Sequence, residues 1–202
     1  VLKGRPEVGQ TLYCPHLKRK GIVLLKKGAM FKNDSYRFHW KDLGDIALGR
    51  PKLGNLVTVS VYRLMQYTLR DVLNRNLSAE KSSELFREAG RLAGMEFCRN
   101  ILNCSQPFNE FIAELQETLL SLKIGILRVE KSDLDRMEFV LTVEEDLDCS
   151  GLPPSGETVC EYDEGFIAGV LEAYTGRKFD VREVDCWASG ERICRFKALA
   201  LQ

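Results

Sequence analysis

Three cysteines and one glutamate near the C-terminus carry the strongest chemical signal in this 202-residue chain. Cys160, Glu183, Cys186 and Cys194 are spaced C-x22-E-x2-C-x7-C. Thiolates are soft donors, and three of them with one carboxylate would fill the tetrahedral shell of zinc. Such a shell is closed and keeps no position for a catalytic water. The competing reading is a set of buried structural cysteines, because a free cysteine packs as a small hydrophobe. Spacing alone leaves both readings standing.

The elements that must position these residues are legible around them. From Tyr162 onward, Phe166, Ile167, Val170, Leu171 and Tyr174 recur at helical spacing. Asp163 and Glu164 fall in the first turn, where carboxylates complement the helix dipole, and Gly176 is placed to end the helix. Cys160 lies at the start of this helix, a position that stabilises a thiolate. Gly165 and Gly169, four apart, permit close approach by another backbone or a flat ligand. Residues 178–187 alternate as a strand, Ser189-Gly190-Glu191 offers a turn, and 192–199 return as a second strand. A three-residue loop would set Cys186 opposite Cys194. On a regular strand Glu183 and Cys186 point to opposite faces, so Glu183 reaches the same site only across a bulge or at a strand start. Arg182, Arg192 and Arg195 are near enough in sequence to offset the negative charge of such a site.

The block GFIAGVLE, then TGR, then E-x-x-C-x-x-x-G-x-x-x-C-x-F resembles the 4-vinyl reductase domain family. That small-molecule-binding domain also forms the sensor half of bacterial transcription activators that respond to phenol and related aromatics. The resemblance is close over the last quarter of the chain and looser back to about Asn55. It implies a structural zinc on Cys160, Glu183, Cys186 and Cys194, and a fold shared with TRAPP-type vesicle-tethering subunits. It also implies an aromatic-lined cavity beside the zinc. The residues expected to line it are Phe108, Phe111, Phe139, Leu141, Tyr162, Phe166, Val170 and Tyr174. For any one of these rings, filling the core is the plainer role. In the phenol sensors the ligand hydroxyl meets a histidine and a tryptophan. This region holds no histidine, and Phe139 stands near where the tryptophan would be. The expected ligand is therefore more apolar or larger than phenol, such as a hydrocarbon or acyl chain.

Composition sets the outer bounds. The chain is 45% hydrophobic and 29% charged, ordinary for a globular protein. It has no apolar run of the ~18 residues that suggest a membrane span. The start, VLKGRPEVGQ, is polar and no secretory signal is expected. Seven cysteines without a regular disulfide pattern fit a reducing cytoplasm. Net charge is zero, but residues 1–52 hold 12 Lys and Arg against 4 Asp and Glu, leaving 17 against 25 for the rest. The basic arm, densest at 16–27, reads as a solvated strand edge. No interleaved aromatics or DNA-reading helix accompany it, so nucleic acid is not expected as a partner. Cys14-Pro-His16 is half a metal site with no second cluster nearby, and His16 and His39 read as surface residues.

Chemistry of other kinds finds no foothold. There is no G-x-S-x-G, Walker loop, G-x-G-x-x-G after a strand, or H-E-x-x-H. Neither histidine lies near the motif block, so catalytic residues are not expected.

The remaining elements follow from periodicity. Short strands are expected at 21–25 and 35–40, then a turn-rich connector over 45–55. Residues 56–75 carry Val57, Val61, Leu64, Met65, Leu69 and Val72 at helical spacing, and methionines and aromatics here are read as core. Ser78 caps a second helix whose face of Ala89, Gly90, Ala93, Gly94 and Phe97 is small enough for core packing or a homodimer seam. Pro107 begins a third helix, and strands follow at 124–130 and 137–143. Cys149 falls in the loop 148–157 and is left outside the metal shell. The expected architecture is α+β, a helical layer on an antiparallel sheet with a zinc-stapled C-terminal helix and hairpin. Residues 1–54 are read as a basic extension and 55–202 as the ligand-binding domain. The function expected is a zinc-stabilised, homodimeric domain that binds or senses a small apolar or aromatic molecule and signals through a downstream partner. A tetrapyrrole-related reductase or accessory protein is the alternative, with a TRAPP-like dimeric scaffold lacking a ligand as the third reading.

Overall fold

A computed structural model describes residues 36–201 of the chain. The expected strand at 21–25, the basic run and the Cys14-Pro-His16 triplet lie outside the described residues. Of the strand expected at 35–40, residues 36–39 are irregular and Trp40–Leu43 is a 3-10 turn. A strand needs a neighbour to satisfy its peptide groups, and the sheet described below does not include this segment.

His39–Gln202 forms one compact unit. Its helices begin where the local chemistry allows. Asp45 caps the short α1 (Ile46–Gly49), its carboxylate accepting from Leu48 N at 2.9 Å. Next comes α2 (Val59–Asn76). Ser78 caps α3 (Ala79–Ile101) through Oγ, which accepts from Lys81 N at 3.2 Å. Pro107 precedes α4 (Phe108–Ser121). After β1 (Ile126–Asp133) and β2 (Glu138–Glu144) comes α5 (Glu161–Thr175), with Cys160 at its N-cap and Gly176 ending it at φ 73°. The chain closes with β3 (Phe179–Asp185) and β4 (Cys194–Ala200). All neighbouring strands are antiparallel, in the order β1-β2-β4-β3.

The central element is α5. It lies on the sheet through Ile167, Val170 and Leu171, and its other side is covered by α3. Glycines let the two helices meet backbone to backbone. A Cβ on Gly90 or Gly94 would overlap the carbonyl of Tyr162 or Phe166, and one on Gly165 or Gly169 the carbonyl of Arg87 or Arg91. The small face of the second helix is thus used within the chain by Gly90 and Gly94, while Ala89 stays exposed and Ala93 half-buried. Buried Glu164 and half-buried Glu172 flank this contact, paired with Arg87 (2.5 Å) and Arg91.

The orientation of α2 is inverted relative to an ordinary surface helix. Its polar face, Tyr62, Arg63, Gln66, Tyr67 and Arg70, turns inward, whereas Val61, Leu64, Met65, Leu69 and Val72 are exposed. Met65, read from sequence as core, is 57% exposed. The inward groups are held by hydrogen bonds instead of apolar packing, for reasons that belong to the site.

Candidate metal centre and the apolar cleft beside it

Four thiols converge where α5 begins. Cys149, Cys160, Cys186 and Cys194 are all buried, and their Sγ atoms lie within 4.8 Å of one another. Cys160–Cys186 and Cys160–Cys194 are separated by 3.8 and 4.0 Å, and Cys149–Cys194 by 3.1 Å. A tetrahedral zinc with Zn–S of about 2.3 Å requires sulfurs about 3.8 Å apart, so the first two distances already match and the third needs a small opening. The donor set therefore fits a thiophilic metal, and among the described residues no disulfide competes for these sulfurs.

Each thiol is delivered by a different device. Cys160 comes from the N-cap of α5. Cys194 opens β4, opposite Val143 of β2. Cys186 follows β3 and starts a tight turn in which Ser189 N and Glu191 N both donate to its carbonyl, at 3.1 Å each. The link between the strands is longer than the three-residue loop expected, because the 3-10 turn Trp187–Ser189 is inserted. Cys149 arrives on the loop after β2, where Glu145 adopts φ 51°, a left-handed conformation uncommon for a side chain with a Cβ. Asp146 Oδ1 then accepts from Asp148 N (2.7 Å) and Cys149 N (3.0 Å), fixing the turn.

The phase problem at Glu183 is resolved by an irregularity in β3. Register steps from Glu183 opposite Phe196 to Asp185 opposite Arg195. Val184 and Asp185 both fall on the outer side, and Glu183 and Cys186 both turn inward, 9% and 0% exposed. Glu183 Oε2 accepts from Cys160 N at 3.2 Å, while its buried Oε1 has no hydrogen-bond partner. Burial, and then the neighbouring Cys186 sulfur, push the Glu183 carboxyl up to about 8. Glu183 N in turn donates to Glu164 Oε1 at 2.8 Å, tying the strand to the α5–α3 contact. Hydrogen bonds from Cys149, Cys160 and Cys194 lower the Cys186 thiol, and Cys160 and Cys194 are raised, first by the bond to Cys149. The cluster thus favours a thiolate at Cys186, the form in which a cysteine binds metal.

Beside the cluster runs an apolar cleft with a cavity of about 50 Å³, between α4, α5 and the β1–β2 hairpin. Leu141, Phe166 and Val170 line it, as does Leu115 of α4. At its polar end stand Asp146, 4% exposed, and Asp163, whose Oδ2 is sealed from solvent without a partner. Burial first and then Asp148 raise the Asp146 carboxyl to about 6, and burial raises Asp163 as well. Four of the residues expected to line a cavity instead stack on each other. Phe111 and Tyr174 rings are 4.0 Å apart, Phe108 and Phe139 5.3 Å, and Tyr174 OH donates to Gln106 O. Tyr162 is half-buried, with its carbonyl against Gly90. A wider open groove of about 700 Å³ lies on the other side of Asp146, with charges of both signs from Arg63, Arg192, Glu144 and Glu145.

The loop carrying Cys149 is also what holds α2. Asp148 accepts from Tyr62 OH at 2.8 Å and Gln66 Nε2 at 2.6 Å, and its carbonyl from Tyr67 OH at 3.0 Å. Arg63 donates to the carbonyls of Leu147 and Asp146, and Arg70 to Glu161 Oε2. Neither Cys149 nor the carboxylates Asp146, Asp148 and Asp163 are marked by periodicity. The signal available was the loop's position directly after the strand that pairs with Cys194.

The architecture is that of small-molecule-sensing and vesicle-tethering domains. The phenol-responsive sensory domain of the transcription activator PoxR, solved with phenol, superposes with a TM-score of 0.57 at 16% identity. The match covers 72% of this chain and 76% of that one. A vinyl-4-reductase family protein from Methanocaldococcus jannaschii matches with a TM-score of 0.52 at 16% identity, over 77% of this chain and 91% of that one. A trafficking protein particle complex subunit 3 from Naegleria fowleri, covalently bound to palmitic acid, gives 0.56 at 12% identity, over 71% and 95%. Residues 139–200, from β2 through β4, match the 4-vinyl reductase domain, the family that the C-terminal motif resembles. Two uncharacterised proteins of M. jannaschii are similar over most of the chain. MJ0150 is 28% identical over 77% of this chain and 85% of its own length, and MJ1642 is 25% identical over 72% and 80%. Among the described residues no helix is long and apolar enough to cross a membrane.

Proposed function

We propose that residues 55–202 form a zinc-stapled domain that binds or senses a small apolar molecule, acts as a homodimer and passes its state to a partner protein. The observation that carries the reading is the apolar cleft set directly against the thiol cluster and ended by two buried carboxylates. Its walls are aliphatic and aromatic, and the unpartnered Asp163 Oδ2 offers an acceptor for one polar group of a ligand. Zinc is the metal that closed sets of buried thiolates select, with Cys160, Cys186 and Cys194 as the common core and Glu183 as the carboxylate neighbour. Bound there, zinc supplies a structural cross-link between the start of α5 and the β3–β4 hairpin. Free thiols and the absence of disulfides among the described residues are consistent with a cytoplasmic setting. A phenol sensor and a palmitate-bound tethering subunit on the same fold make aromatics and acyl chains the classes to try first.

A second reading is favoured by one measurement. The cavity holds about 50 Å³, whereas ligand pockets are usually about 300–1,000 Å³, so a ligand must part Phe166 from its neighbours to enter. A dimeric scaffold whose cleft is filled by its own side chains needs no such opening. The two readings separate in a thermal-shift screen of apolar aromatics, fatty acids and phenols against wild type and Phe166→Ala. Binding predicts stabilisation of the wild type by one class and an altered response in the variant. If no class stabilises either protein, the scaffold reading stands in its place.

A further inference from the structure

We infer that Cys149, and not Glu183, is the fourth protein donor to the metal. This inference rests on the metal reading above and deepens it. Cys149 was the thiol that spacing left outside the site, yet its side chain is fully buried and its sulfur stands within 4.8 Å of the other three. Glu183 is not in that set of mutually close donors. One of its oxygens is occupied by the Cys160 amide, which places the carboxylate as a positioning group for the N-cap of α5.

The Cys149 loop is built to hold its sulfur in place. Asp146 fixes the turn from within, and four side chains of α2 grip the carbonyls of 146–148 and the Asp148 carboxylate from outside. No loop rearrangement is needed for coordination. A structural zinc is four-coordinate, and four thiolates complete it; a carboxylate as a fifth donor would add negative charge to a filled shell. The consequence is topological. With Glu183 as ligand, the metal would join only α5 to the β3–β4 hairpin. With Cys149, it also fastens the loop from which α2 hangs, so metal state and α2 position become coupled.

The test is cobalt substitution of the full-length protein. Co(II) loading of wild type should give the intense, red-displaced d–d bands and strong sulfur-to-cobalt charge transfer of a four-thiolate site. Cys149→Ser should lose about a quarter of the charge-transfer intensity, one thiolate of four, and Glu183→Gln should leave the spectrum unchanged. Should Cys149→Ser fail to fold, X-ray absorption of the wild-type zinc protein decides the matter alone. Four sulfurs at about 2.3 Å support the inference, and three sulfurs with one oxygen at about 2.0–2.2 Å overturn it. An altered spectrum in Glu183→Gln with none in Cys149→Ser also overturns it, while leaving the metal reading intact. Failure of the wild type to take up metal at all overturns both.

Discussion

Cys186 is the most consequential single side chain in the molecule. It is fully buried, sits at the turn into which Ser189 and Glu191 donate, and is the thiol that its three neighbours stabilise as thiolate. Binding energy at a structural zinc is folding energy, on the order of 10 kcal/mol in small zinc modules. Cys186→Ser is therefore expected to lose stoichiometric metal and to aggregate or unfold on expression. Cys98 and Cys104 serve as the control, because their sulfurs meet each other at 3.0 Å and neither belongs to the four-thiol cluster. Serine at either should leave metal content unchanged, measured by elemental analysis of purified protein. Retention of metal in the Cys186 variant would sink the assignment. Three of the four clustered thiols were legible as a group, because local helix and strand signals bracket them. Cys149 was not, since its closeness depends on Val143 pairing with Cys194 across the sheet, a long-range register that periodicity does not report. The inward turn of Glu183 depends likewise on a one-residue step in β3 that leaves no mark in the alternation.

At the scale of elements, α5 and α3 depend on glycine, and α2 depends on polar contacts. An added Cβ at Gly169 would overlap the Arg91 carbonyl, a backbone atom that cannot turn aside. Gly169→Ala is expected to force the helices apart and destabilise the fold by about 1–3 kcal/mol or more, as overpacking of a tight core does. Chemical denaturation measures it, and a variant as stable as wild type would contradict the close packing. The Arg70–Glu161 pair, 2.6 Å and mostly shielded, ties α2 to the first turn of α5. Burial acts to raise the Glu161 carboxyl, but Arg70 and Ser83 outweigh it and hold it below its ordinary 4.5. A lowered carboxyl stabilises the folded state above its unfolded value, and that contribution disappears as pH falls through the folded one. Glu161→Gln should then cost about 1–3 kcal/mol at neutral pH and progressively less below about 4.5, read from unfolding curves across pH. The helices themselves were legible within a few residues because their apolar periods and caps are local: Ser78, Pro107 and Gly176 all mark ends as expected. Which face each helix buries was less so. An apolar stripe states that a face seeks cover, not whether the cover lies within the chain, and α2 is the case where it does not.

That inversion matters most for the whole molecule. Val57, Val61, Leu64, Met65, Leu69 and Val72 form one stripe, each at least 45% exposed, on a helix whose opposite face is fastened by hydrogen bonds. A contiguous apolar stripe of this kind on a folded unit marks an interaction surface. A second copy of the chain is the proposed occupant. Antiparallel or crossed apposition of two such helices is self-complementary, and two-fold dimers are the commonest closed assembly. The small face of α3 no longer offers an alternative seam, because Gly90 and Gly94 are spent against α5. Leu64, 66% exposed, has little to lose within its own chain, so Leu64→Glu is expected to leave the monomer folded while abolishing the dimer. Sedimentation velocity at micromolar concentration should show wild type at twice the monomer mass and the variant at the monomer mass, with matching circular dichroism. A monomeric wild type would refute the dimer. If instead the variant unfolds, α2 has cover inside the chain that the exposed stripe does not reveal, and the face must be reassigned. Because Asp148 joins α2 to the Cys149 loop, a dimer built on α2 would also respond to the metal. Chelation is then expected to weaken association in the wild type before the fold is lost, detectable as a rising dissociation constant with increasing chelator.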